Sequence, residues 1–146
     1  MDSIVPQLLL CWVVIFTVIN LTFGLSQKIR NAGIVDVLWG FSFCAVTIFF
    51  TLTGDGDETR RIFLAVATSL WSGRLGIYLL MRWKALHPIE DKRYAELRQK
   101  WGTNANLYMF GMFHWQGALI MIFSPIFAVP TWNSNTGMSL VEWIGL

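Results

Sequence analysis

Residues 62–83 read IFLAVATSLWSGRLGIYLLMRW. A hydrocarbon core about 30 Å thick needs a helix of roughly 20 mainly apolar residues. This run meets that length with one internal charge, Arg74, and a second cation, Arg82, at its end. Runs of the same kind flank it at Ile4–Leu25, Gly33–Thr53 and Leu107–Trp132, and Ser139–Leu146 reads as the first two turns of another. The expected fold is therefore all-α. It is a multi-pass transmembrane helical bundle with four complete spans and the start of a fifth, in a single domain over residues 1–146.

Composition agrees. Hydrophobic residues make up 55% of the chain, aromatics 15% and charged residues only 14%. Soluble domains average about 25% charged, so this much apolar surface calls for a lipid solvent. The net charge of +2 is too small to suggest a nucleic-acid partner. Cys11 and Cys44 lie inside apolar runs and read as small buried hydrophobes rather than a disulfide framework or zinc site. The first residues carry Asp2 and no basic segment, so the opening run reads as a retained helix rather than a cleaved leader.

Polar segments separate the runs at Ser26–Ala32, Gly54–Arg61, Lys84–Asn106 and Asn133–Gly137. If every run spans, the first and third loops share a side. That side carries eight cations: Lys28, Arg30, Arg82, Lys84, Lys92, Arg93, Arg98 and Lys100. The other side carries two, Arg60 and Arg61. The positive-inside rule then puts residues 26–32 and 84–106 in the cytoplasm and the N-terminus outside or in the lumen. The membrane would be the endoplasmic reticulum in a eukaryote and the inner membrane in a bacterium. Within the long loop, Pro88 suits a first helical turn, Glu90 and Asp91 suit a helix N-terminus, and Gly102 suits a stop. Ile89, Leu97 and Trp101 would form an apolar edge, and Glu96 and Lys100 an i, i+4 pair. The expectation is a short interfacial cytoplasmic helix over about residues 88–101.

Ionisable groups inside spans are expensive and usually face a protein interior or a wet cavity. Arg74 would lie roughly 13 Å, and Asp36 roughly 5 Å, from the cytoplasmic ends of their helices. They could meet as a structural ion pair between two helices, or form the charged wall of a ligand cavity. Trp71, Arg74, Tyr78 and Arg82 share one helical stripe. Two cations among aromatics, reached from the cytoplasm, suit an anionic ligand such as a phosphorylated cofactor. Arg93, Tyr94 and Arg98 would stand at the mouth of that cleft, unless the loop helix is simply a solvated amphipathic one. Gln116 and His114 sit near mid-depth in the fourth run, where packing and interhelical hydrogen bonds are the ordinary roles. No metal-ligand spacing or phosphate-binding glycine loop is present.

Several motifs taken in order resemble an uncharacterised-domain branch of the steroid 5-alpha-reductase superfamily. They are Asp36–Val–Leu–Trp39–Gly40, Leu70–Trp71–Ser–Gly–Arg74–Leu75, Glu90–Asp91–Lys–Arg93–Tyr94, Trp101–Gly102 and Gln116–Gly117. The resemblance runs from about Asn31 to Pro125. It implies a multi-helix membrane reductase that uses NADPH to saturate a carbon–carbon double bond conjugated to a carbonyl, in a steroid or other lipid enone. In the steroid reductases a matching third-helix stripe reads Tyr-x-x-Arg-x-x-x-Tyr, so Arg74 and Tyr78 match cofactor positions. With Arg82, Arg93, Tyr94 and Arg98 they are the expected cofactor set. Asp36, Trp39, Trp71 and Gln116 are the expected substrate set. Trp71 stands where the first Tyr would be, and an indole N–H is no practical proton donor, so no catalytic residue is assigned. The family continues with further helices and an Arg-His-Pro-Asn-Tyr-type segment. Val141–Leu146 stands where its next helix would begin, so the chain reads as the amino-terminal part of a longer protein. Two rival readings stand beside the reductase: a relative of the isoprenylcysteine-type lipid methyltransferases, and a non-catalytic membrane or accessory protein.

Overall fold

The computed structural model describes residues 4–137. Among these the fold is all-helical: α1 (Ile4–Ile29), α2 (Ile34–Thr53), α3 (Glu58–Leu86), α4 (Lys92–Trp101), one 3-10 turn (Gly102–Asn104) and α5 (Ala105–Thr131). Four helical stretches are long and apolar enough to cross a membrane, the fourth being α4 through α5. Every long helix also presents large apolar side chains outward, among them Val13, Leu21, Leu52, Leu70 and Ile126. Patches of this kind suit lipid contact and are consistent with an integral membrane protein. The expected start of a further span at Ser139–Leu146 falls outside the described residues.

Two helices exceed their apolar runs. α3 extends beyond residues 62–83 because Asp57 caps it, its carboxylate accepting the Arg60 N–H at 2.9 Å. α1 runs past Leu25 to Ile29. There Arg30 adopts a left-handed φ of 52°. The helix closes with Asn31 N–H donating to the Ser26 carbonyl at 3.0 Å and Arg30 N–H to the Gln27 carbonyl at 3.4 Å. α4 is shorter than the expected 88–101. Asp91 is its N-cap, accepting the Arg93 N–H, so Pro88 and Ile89 lie in the preceding turn. The buried edge of α4 is Tyr94, with Leu97 and Trp101 packed beside it, while Ile89 is exposed. Glu96 pairs with Lys92 at 3.7 Å rather than with Lys100.

α2 is the central helix, packed against α1, α3 and α5. Its seam with α3 depends on small residues, as lipid-embedded helix pairs require. A Cβ on Gly40 would lie 2.9 Å from the Gly76 Cα. The Ser72 hydroxyl donates to the Gly40 carbonyl at 2.6 Å and accepts the Cys44 N–H at 2.9 Å. Those two backbone groups are partners in an undisturbed α-helix, so Ser72 is wedged into the α2 ladder. α1 packs on α5 through Ile19 seated on Gly117. Pro125 has no N–H for the Met121 carbonyl. Ser124 supplies the replacement donor at 2.8 Å, and Trp12 Nε1 donates in turn to the Ser124 hydroxyl at 2.9 Å.

The ends differ. One gathers the α1–α2 loop, the end of α3 and α4, and is called here the basic end. Glu90 accepts the Ala32 N–H at 2.8 Å, and Asn31 donates to the Ile89 carbonyl at 3.3 Å, strapping the two loops together. At the opposite end Arg60, 5% exposed, donates to the carbonyls of Asn133, Asn135 and Gly137 at 3.0, 3.0 and 2.6 Å. Arg61 does the same for Thr51 and Gly54.

Candidate functional site

Asp36 opens the first turn of α2, and Trp39 and Phe43 follow it at helical spacing on one face. The partner of Asp36 is not Arg74. Its carboxylate accepts Arg93 Nη2 at 2.8 Å and the Tyr94 hydroxyl at 2.5 Å, both from α4. The reason is axial position. Gly40 meets Gly76 across the α2–α3 seam, which leaves Arg74 further along α2 than Asp36, whereas the Arg93 and Tyr94 side chains reach from α4 to the first turn of α2.

Arg93 also bonds Asp91 at 3.1 Å, and Arg82 reaches Asp91 at 2.6 Å. The result is one network, Asp36–Arg93–Asp91–Arg82, that joins α2, α4 and the end of α3. The Asp91 side chain is 11% exposed. Its carboxyl is held below the ordinary range, chiefly by the Arg93 hydrogen bond, with the charges of Arg93 and Arg82 adding and burial opposing. Tyr94 is buried, its phenol donating to Asp36 at a junction with Gln116.

Above that junction runs an aromatic wall. Phe43 is its centre, with ring centroids 5.0 Å from Trp39, 5.8 Å from Trp71, 6.5 Å from Phe123 and 5.9 Å from Phe127. Gln116, Phe123 and Phe127 share one face of α5. Asp36, Trp39, Trp71 and Gln116, from three helices, thus line one continuous strip.

The expected cofactor residues divide. Tyr94 is turned inward to the strip. Arg82 and Arg93 are held in the network. Arg98 pairs with Glu90 at 2.9 Å. Arg74 and Tyr78 stand exposed on the outward face of α3, Tyr78 at 61% and Trp71 beside them at 49%. No carboxylate among the described residues reaches Arg74.

Residues 22–146 match the family DUF1295, described as a protein of unknown function. The chain belongs to the DUF1295 family. That family lies in the steroid 5-alpha-reductase-like superfamily. Comparison with curated proteins and with solved structures finds no match. The DUF1295 region begins within α1 and covers the network, the strip and the outward α3 stripe.

Asp91, which the sequence places at a helix N-terminus, is the hub of the network. Two residues of this DUF1295 chain carry structural weight that sequence reasoning missed. Ser72 holds the α2–α3 seam, and lies between Trp71 and Arg74. Arg60 is a buried clamp, and a cation in a short polar loop carries no mark of that.

Proposed function

We propose that this chain contributes a cofactor and substrate surface to a membrane-embedded reductase that takes NADPH and saturates a conjugated carbon–carbon double bond of a steroid or other lipid enone. The basic end faces the cytoplasm in this reading. The observation that carries it is Arg74, a guanidinium part-way along an apolar helix with no carboxylate among the described residues to neutralise it. A cation left so in a low-dielectric setting is costly until an anion arrives. Phosphate oxygens are the natural partner of the planar guanidinium fork. Arg74 and Tyr78 fit a phosphate-bearing cofactor. Arg82, at the end of the same stripe, and Arg93 and Arg98 fit it less well, because carboxylates already hold them.

NADPH supplies a hydride when bound. The chain's own residues do the rest. Trp39, Phe43 and Trp71 exclude water and orient a flat apolar molecule. Tyr94 holds a proton at its hydroxyl, and Asp36 and Gln116 position that group.

The test is thermal unfolding of the full chain in nonionic micelles with NADPH. Ligand at 100 times its Kd should stabilise the fold by about 2.7 kcal/mol. Arg74→Gln should abolish the shift and leave the ligand-free melt unchanged, since Arg74 loses no partner. No NADPH shift in the wild type would sink the reading. A shift with S-adenosylmethionine alone would favour the methyltransferase relative. The balanced Asp36–Arg93 pair also suits a non-catalytic membrane protein, which neither ligand would stabilise.

A further inference from the structure

A second polar cleft lies at the basic end, away from the aromatic strip. It measures about 340 Å³ and is lined by Gln27, Arg30, Glu90, Arg98 and Asn106, from the end of α1, the turn before α4, α4 itself and the start of α5. Its donors outnumber its acceptors. Gln27 Nε2 and Arg98 Nη2 are buried and have no hydrogen-bond partner among the described residues. Such groups are rare in folded proteins and ask for an explanation. Arg98 uses its Nε edge on Glu90, at 2.9 and 3.1 Å, which leaves the Nη2 corner of the same guanidinium unused. The only carboxylate in the cleft among the described residues, Glu90, is occupied by that guanidinium and by the Ala32 N–H. Two arginines against one carboxylate leave a charge of +1.

Arg30 adds an independent observation. It holds the left-handed position that closes α1, with φ 52°. Glycine or asparagine takes that position with less strain. A strained position held by an arginine points to use of its side chain, and the side chain lines this cleft.

We infer that the cleft binds a phosphate-class monoanion, its oxygens accepting from Gln27 Nε2, Arg98 Nη2 and the Arg30 guanidinium. A phosphodiester, as in an anionic lipid headgroup, matches the +1 charge. The cleft lies where helices apolar enough to cross a membrane end, which is headgroup depth if they span. A soluble phosphate carries the same recognition chemistry. The inference does not rest on the reductase reading, and its test contains no NADPH.

The experiment is native mass spectrometry of the full chain in nonionic micelles, titrated with phosphatidylglycerol or phosphatidylcholine. The wild type should retain phosphatidylglycerol in preference. Arg30→Gly should lower that affinity about 10-fold while melting no lower than the wild type, because glycine relaxes the backbone. Gln27→Met, which keeps the bulk of the side chain, should lower it about 3-fold. Inorganic phosphate that displaces the lipid would assign the cleft to soluble phosphates; lipid retained in millimolar phosphate would assign it to headgroups. Equal retention of both lipids, or unchanged phosphatidylglycerol affinity in both variants, would overturn the inference.

Discussion

Arg60 and Arg82 lie towards opposite ends of α3 and are used in opposite ways. Arg60 is buried and bonds to backbone carbonyls of the segment after α5. Arg82 is half-exposed and bonds to a carboxylate. Carbonyls offer geometry, so Arg60 locks one segment against another. Carboxylates offer charge, so the basic end is a balanced network that pH can reach. Arg74, between the two, has neither kind of partner among the described residues. One helix thus carries a clamp, a free cation and a network member in sequence.

The contrast predicts a graded set of effects. Arg60→Ala should be the most damaging change. It removes several charge-assisted hydrogen bonds from a buried guanidinium to backbone carbonyls and should cost about 3 kcal/mol in denaturant unfolding; a loss under about 0.5 kcal/mol would mean that the clamp is ornamental. Next comes the α2–α3 seam between the two ends. Gly40→Ala drives a Cβ towards the Gly76 Cα and should cost about 1–3 kcal/mol. Gly73→Ala has open space and should be neutral or stabilising by up to about 1 kcal/mol. Equal melts for these two variants would refute the close seam.

The smallest effect should come from pH. The folded Asp91 carboxyl titrates below its ordinary value of 3.8. The unfolded chain therefore takes up its proton first as pH falls. The stability this contributes is present above that value and is lost as pH drops through the folded one. Thermal melts compared between about pH 5 and pH 3 should show a steeper loss for the wild type than for Asp91→Asn. Parallel slopes would show that the network does not hold Asp91 as described.

The apolar runs were legible in sequence because span length is a local property. The α3 stripe was legible because helical spacing is local too. Other features were not. Asp36 was expected to meet Arg74 or line a cavity, and instead meets Arg93 and Tyr94, because axial register between helices depends on where Gly40 and Gly76 touch. Arg93, Tyr94 and Arg98 were expected at the mouth of the cleft beside Arg82; in the structure Asp91 pairs with Arg82 and Arg93, and Glu90 with Arg98, which sequence spacing could not show.

By itself, then, the sequence determined that this chain is helical, that four stretches are apolar enough for a bilayer, and that Trp71, Arg74, Tyr78 and Arg82 share a helix face. Only the tertiary structure decided which cations are neutralised, which donors stay unpartnered, and that Arg60 is buried. The physical reason is range. Hydrophobic length and helical periodicity act within one helix, whereas ion pairing and burial depend on how separate helices are rotated and aligned against one another.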